Sequence, residues 1–209
     1  MTRAAILFSG RGSNMAALLA AAAAPGFPAR FAVAVCNVPG AEGLGRTGDV
    51  ESLCIDHRPF RGDRAAHEAA LDDALRARGV EVVCLAGYMR KLTPFLVGRW
   101  AGRMLNIHPS LLPAFPGLDT HARALAAGVK LHGCTVHLVT EAVDEGPILA
   151  QAAVPVLPGD DPDTLAARVL AQEHVLYPLA LRLFVEGGTG RVEPGAALLN
   201  PLPALGPGP

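Results

Sequence analysis

The strongest constraint on the fold is a regular alternation of apolar runs and helix-patterned stretches over the first 107 residues. Arg3–Phe8, Phe31–Cys36 and Val80–Ala86 are short and almost wholly apolar, as strands buried on both faces of a sheet are. Residues 51–56 and Met104–Ile107 read as further short strands. Between these runs, Met15–Ala24 favours helix, and a glycine-rich connection leads to a short helix near Ala41–Gly48. Arg64–Arg78 puts Ala65, Ala69, Leu71 and Leu75 on or near one helical face. This order predicts an α/β chain with a doubly wound, mostly parallel sheet.

The second half departs from that pattern. Cys134–Val139 alternates as a strand does and Ile148–Val156 reads as its partner, which predicts an antiparallel C-terminal extension of the sheet. A helix is expected over Asp119–Ala127, N-capped by Asp119 or Thr120. A long one is expected within Asp161–Glu186, where Pro178 should kink it or mark a boundary. Residues 1–190 are expected to form a single domain, with 191–209 a loosely ordered tail rich in Pro, Gly and Ala.

Ligands of open α/β sheets sit beyond the carboxyl ends of the strands, so the loops after Phe8, Ala86 and Ile107 should meet at one crevice. The first loop is Ser9-Gly10-Arg11-Gly12-Ser13-Asn14. Strand, glycine loop and helix together offer backbone N–H groups and a positive helix end to a phosphate. Ser13 and Asn14 can cap the helix and also bind phosphate oxygens. The loop is neither a dinucleotide fingerprint nor a Walker loop, so a single phosphate suits it better than a pyrophosphate. The plain alternative is a capped turn after a first strand.

The third loop is the richest in chemistry. Met104–Ile107 runs into His108-Pro109-Ser110-Leu111-Leu112-Pro113, and the prolines force an extended path. Asn106 and His108 lie two residues apart and so share one side of the strand. An amide and an imidazole placed together can both donate to an oxygen that becomes an oxyanion. The plain alternative is a histidine that ends a strand and bonds a loop carbonyl. Asp144, in the acidic turn Thr140–Pro147, is the acid expected to return to this pair, held by the tight Gly146-Pro147 end.

Composition excludes other classes. No apolar stretch reaches the roughly 18 residues a membrane-spanning helix needs, and no basic leader precedes Ala16–Ala24, so a cytoplasmic protein with no membrane contact is expected. A net charge of −1 argues against nucleic acid as partner. Cys36, Cys54, Cys84 and Cys134 form no C-x-x-C pair and the seven histidines have no paired spacing, so no metal is expected.

The loop Ser9–Asn14, the run Leu85-Ala86-Gly87-Tyr88-Met89-Arg90, the stretch Asn106–Pro113 and Asp144-Glu145-Gly146-Pro147 occur in the order and spacing of one known family. Together they make the chain, from residue 3 to about 187, resemble the phosphoribosylglycinamide formyltransferases, folate-dependent enzymes of purine synthesis. The Ser-Gly-x-Gly-Ser-Asn loop suits the ribose 5-phosphate of glycinamide ribonucleotide. It sets this subfamily apart from sugar-nucleotide formyltransferases, which share the catalytic core.

That resemblance implies a formyltransferase fold, with 10-formyltetrahydrofolate as co-substrate and glycinamide ribonucleotide as acceptor. It implies that Asn106, His108 and Asp144 are catalytic, and that Gly12, Ser13, Asn14 and Glu173 bind the ribonucleotide. Arg64, Met89, Arg90, Lys91, Leu92, Asn106 and Glu141 would contact the folate. The expected mechanism is direct attack of the amine through a tetrahedral oxyanion, in a monomer or homodimer. Two other readings stay open: a formyltetrahydrofolate deformylase, with water replacing the amine, and a non-catalytic folate- or phosphate-binding protein.

Overall fold

In the computed structural model, residues 1–187 and the backbone of 198–199 are described. The apolar runs form β1 (Thr2–Phe8), β2 (Ala29–Cys36), β3 (Ser52–Cys54), β4 (Val82–Leu85) and β5 (Met104–His108). β1 pairs in parallel with β2 and β4, β2 with β3, and β4 with β5. From there the direction reverses: β6 (Leu131–Leu138) runs antiparallel to β5, and β7 (Ile148–Pro155) antiparallel to β6. The two-residue β8 (Leu198–Leu199) lies parallel beside β7. Among the described residues the sheet order is β3-β2-β1-β4-β5-β6-β7-β8, so β5 is the strand at which parallel becomes antiparallel.

Five α-helices flank this sheet among the described residues: α1 (Ser13–Ala22), α2 (Arg64–Ala77), α3 (Pro94–Arg99), α4 (Thr120–Ala126) and α5 (Pro162–Glu186). Alternation along β1 divides the core between the two faces. Ile6 and Phe8 pack with Met15 and Leu18 of α1 and with Leu176, Leu181 and Phe184 of α5. Ala5 and Leu7 pack with Leu71 and Leu75 of α2 and with Leu96 of α3 and Trp100. Each large apolar side chain removed from water here contributes about 1.5–3 kcal/mol. Cys36, Cys84 and Cys134 are buried free thiols within the strands.

The expected class and topology hold, and four local expectations are corrected. The connection at Ala41–Gly48 is a 3-10 turn, Glu42–Arg46, rather than an α-helix. α5 runs unbroken through Pro178, which is itself buried. The proline removes one helical hydrogen bond, but Leu176, Tyr177, Ala180 and Leu181 bury the helix on both sides of it, so no boundary falls there. α4 does start at Thr120, yet Asp119 is left-handed (φ 55°) and its side chain makes no cap hydrogen bond. Arg123 instead donates to the carbonyls of Pro116 and Leu118. α1 likewise starts on left-handed Gly12, with no side-chain cap from Ser13 or Asn14.

α3 was not expected at all, being a six-residue helix opened by Pro94. The expectation about the tail, 191–209, falls outside the described residues apart from β8. Among the described residues no helix is long and apolar enough to cross a membrane.

Candidate active site

The loops beyond β1 and β4 are hydrogen-bonded to each other. Ser9 N donates to Gly87 O at 3.0 Å, and Met89 N to Ser9 Oγ at 2.8 Å. Ser9 Oγ donates in turn to Asn37 Oδ1 at 2.6 Å, which brings in the end of β2. Beneath these loops the Tyr177 hydroxyl of α5 is shared between Leu85 O at 3.0 Å and Leu105 O at 3.1 Å, tying the end of β4 to the first half of β5. Of the three loops expected to converge, those after Phe8 and Ala86 are thus bonded to each other.

The segment after β4 divides the crevice in two. Leu85, Tyr88, Arg90, Lys91 and Leu92 line one cavity of about 150 Å³, together with Asn106, His137, Glu141 and Asp144. Ala86, Gly87 and Met89 line the other, of about 390 Å³, opposite Ser9–Asn14. Five of the seven expected folate residues thus share the first cavity: Arg90, Lys91, Leu92, Asn106 and Glu141. Met89 faces the second cavity instead. Arg64, exposed at the first turn of α2, lines neither.

In the second cavity, Gly12 takes φ 72° and a Cβ there would lie 3.0 Å from Gly43 Cα. Gly43 N donates to Gly10 O at 3.0 Å, so the loop is seated on the 3-10 turn. The first-turn N–H groups of α1 have no partner within the helix, which leaves them available to an anion. Asn14 Nδ2 donates to Glu173 Oε2 at 2.6 Å. Burial raises the Glu173 pKa above the usual carboxylate range, and the Asn14 bond opposes it. Gly12, Ser13 and Asn14 line the cavity, while Glu173 stands behind Asn14.

β5 carries Asn106 and His108, and the antiparallel register sets His137 and Thr135 of β6 opposite them. His108 Nδ1 lies 3.4 Å from Asp144 Oδ2, and Nε2 lies 3.1 Å from Phe115 O. Both plain and chemical readings of His108 thus have a counterpart: one ring nitrogen meets a loop carbonyl and the other meets the acid. Asp144 is left-handed (φ 59°), and its Oδ2 also accepts from Gly117 N at 2.8 Å. The Gly-Pro end of this turn is tied to β6, where Leu138 N donates to Pro147 O at 2.9 Å.

His137 was missed by sequence reasoning. Its Nε2 stands 3.1 Å from Asn106 Nδ2 and 3.7 Å from Asp144 Oδ1. Burial lowers its pKa, with the Leu138 carbonyl and then Asp144 pulling the other way. A usable signal existed, because alternation in Cys134–Val139 puts Thr135 and His137 on one face, where a core strand should be apolar. Thr135 braces the loop after β5: its Oγ1 donates to Ser110 O at 2.7 Å and accepts from Leu112 N at 3.0 Å. Among the described residues no group of three or more His, Cys, Asp or Glu is placed to hold a metal ion.

Residues 2–181 match the formyl transferase family. The chain belongs to the formyl transferase family. Within it, the chain is 40% identical over 191 residues to the phosphoribosylglycinamide formyltransferase of Haemophilus influenzae, covering 90% of this chain and 89% of that one. The crystal structure of glycinamide ribonucleotide transformylase 1 from Symbiobacterium toebii superposes with a TM-score of 0.88 at 48% identity, over 94% of this chain and 92% of that one. The trifunctional purine biosynthetic protein adenosine-3 of Drosophila melanogaster is 47% identical over 88% of this chain, which spans 14% of that relative's length. The formyl transferase architecture expected from the sequence is the one observed.

Proposed function

We propose that the chain transfers the formyl group of 10-formyltetrahydrofolate to the amine of glycinamide ribonucleotide, a step of de novo purine biosynthesis. The observation that supports this is a pair of cavities separated by one loop, with Asn106 and Asp144 lining the smaller and His108 against Asp144. One cavity offers the anion-ready loop Gly12–Asn14, and the other offers Arg90, Lys91, Leu92 and Glu141. An acceptor phosphate would sit in the larger cavity with Glu173 behind Asn14 near the ribose or glycinamide end. Folate would enter the smaller one.

The amine's lone pair attacks the formyl carbon, and the carbonyl becomes a tetrahedral oxyanion. The Asn106 amide donates to that oxygen, and a His108 ring N–H adds a second bond once Nε2 leaves the Phe115 carbonyl. The nitrogen that attacked must lose a proton and N10 of the folate must gain one before the carbon–N10 bond breaks. Asp144, against His108, serves that transfer directly or through water. No covalent enzyme intermediate is needed.

The catalytic unit is residues 1–190, acting in the cytoplasm as a monomer or homodimer on small-molecule substrates. A deformylase would leave the cavity at Ser9–Asn14 without an occupant, and a mere binding protein would leave the Asp144–His108 pair without a task. A spectrophotometric assay with 10-formyltetrahydrofolate, run with and without the ribonucleotide, separates the three. Folate product only with the ribonucleotide supports the transferase. Equal rates without it overturn that reading in favour of the deformylase, and folate binding without turnover favours the binding protein.

A further inference from the structure

Of the residues that line the larger cavity, Arg11 alone carries a charge at neutral pH. It sits between Gly10 and Gly12 and is exposed. The chain on either side of it is fixed: Ser9 is bonded to Asn37 and to Met89, Gly10 O accepts from Gly43 N, and Gly12 caps α1. Arg46, Arg58, Arg78 and Arg168 each have a carboxylate partner, whereas among the described residues Arg11 has none. Its guanidinium is therefore a free cation on a rigid base, at the mouth of a cavity otherwise lined by neutral groups.

A second observation points to a ligand there. Asn14 is 9% exposed and its Nδ2 is committed to Glu173, but its Oδ1 is buried with no hydrogen-bond partner. A buried acceptor left bare is costly unless an O–H or N–H donor fills it. The floor of the cavity thus holds one unmet buried acceptor, and its lining one unmet cation.

Charge decides what Arg11 adds. A phosphate monoester carries close to two negative charges at pH 7, while a helix N-terminus offers the equivalent of only about half a positive one. The Ser13 hydroxyl and the loop N–H groups are neutral, and an ionised Glu173 behind Asn14 would repel the anion. We infer that Arg11 is a ligand of the acceptor's phosphate and makes the enzyme select a 5′-phosphate monoester over the uncharged riboside. Guanidinium matches phosphate with two parallel hydrogen bonds, which a neutral side chain cannot replace. This inference rests on the acceptor reading given above.

The test compares wild type with Arg11→Gln and Arg11→Lys in the formyl-transfer assay, and measures ribose 5-phosphate binding to each by calorimetry. Arg11→Gln should raise KM for the ribonucleotide roughly 10- to 100-fold, the worth of a charge-assisted hydrogen bond. The KM for folate should move less than about twofold, well short of the loss of any charge-assisted contact. Arg11→Lys should recover part of the loss, and the salt dependence of KM should flatten in Arg11→Gln. Ribose 5-phosphate should bind wild type and bind Arg11→Gln correspondingly less.

An unchanged ribonucleotide KM in Arg11→Gln, or equal ribose 5-phosphate binding by both proteins, overturns the inference. So does an absence of ribose 5-phosphate binding to wild type. If wild type forms no product yet binds ribose 5-phosphate through Arg11, the phosphate ligand stands and the acceptor reading fails.

Discussion

The unprotonated nitrogen of His137 accepts a hydrogen bond from the amide of Asn106. His137 Nε2 is 3.1 Å from Asn106 Nδ2, and its Nδ1 is 3.0 Å from Leu138 O. A carbonyl can only accept, so Nδ1 carries the hydrogen; an amide NH₂ can only donate, so Nε2 carries the lone pair. The 3.7 Å approach to Asp144 would suit an imidazolium instead, but burial, the largest influence on the ring, favours the neutral form. His137 thereby orients Asn106.

His137→Ala should lower turnover by about tenfold, less than the 10²–10³ expected for an oxyanion donor itself. His137→Gln, whose amide oxygen can still accept, should retain more. Saturating kcat of the purified variants is the measurement; equal loss in both would argue against an acceptor role.

Asn106→Ala, His108→Ala and Asp144→Asn should each cost on the order of 10²–10³ in turnover, with far-ultraviolet circular dichroism unchanged. None of the three belongs to either apolar cluster of the core, so folding should survive. Near-normal rates in all three folded variants would sink the catalytic assignment.

Gly146 has no room for a side chain: a methyl would overlap the Leu138 carbonyl oxygen and lie 3.2 Å from Thr140 Cγ2. Gly146→Ala must therefore push away the turn that carries Asp144. It should cost about 1–3 kcal/mol of stability and depress turnover further. Gly98, in α3, has nothing within 4 Å of the same position, so Gly98→Ala should leave both unchanged or slightly raise the melting temperature.

Acid should unfold the protein through its buried histidines. Burial, and then His121 at 3.2 Å, push the His132 pKa down to about 4, and burial lowers those of His67, His121, His137 and His174 as well. In the unfolded chain these rings take up protons near the ordinary value of about 6.5. Between that and 4 the unfolded state holds more protons, so stability falls as pH drops through this window. The raised pKa of Glu173 acts with the opposite sign above the usual carboxylate range. His132→Gln should flatten the fall in melting temperature between about pH 6.5 and 4; an unchanged slope would count against it.

Period-two alternation was enough to place Asn106 and His108 on one side of β5, and to find β6 and β7. It did not reveal His137, because a strand that reads as core hides a polar residue whose partner lies across an antiparallel pair far along the chain. α3 is too short for helical periodicity to show; Leu96 and the following Trp100 hold it against α2 from the tertiary side. Family resemblance put Met89 with Arg90 and Lys91, but Met89 lines the opposite cavity from its neighbours Tyr88 and Arg90. Arg64 carries no pattern that a sequence could use to aim it. Asp119 reads as a cap by residue type alone, and its left-handed backbone removes the geometry that a cap requires.

Glu173 and Tyr177 stand one helical turn apart on α5, the first holding Asn14 and the second bridging β4 and β5. A single-residue insertion or deletion between the Asp161 cap and Glu173 would rotate both by about 100°, unseating the acceptor cavity and the floor of the catalytic strand together. The same change beyond Tyr177 would leave both in register. Such a change would nonetheless turn Ala180, Leu181 and Phe184 out of the core, so α5 is closed to length variation as far as Phe184.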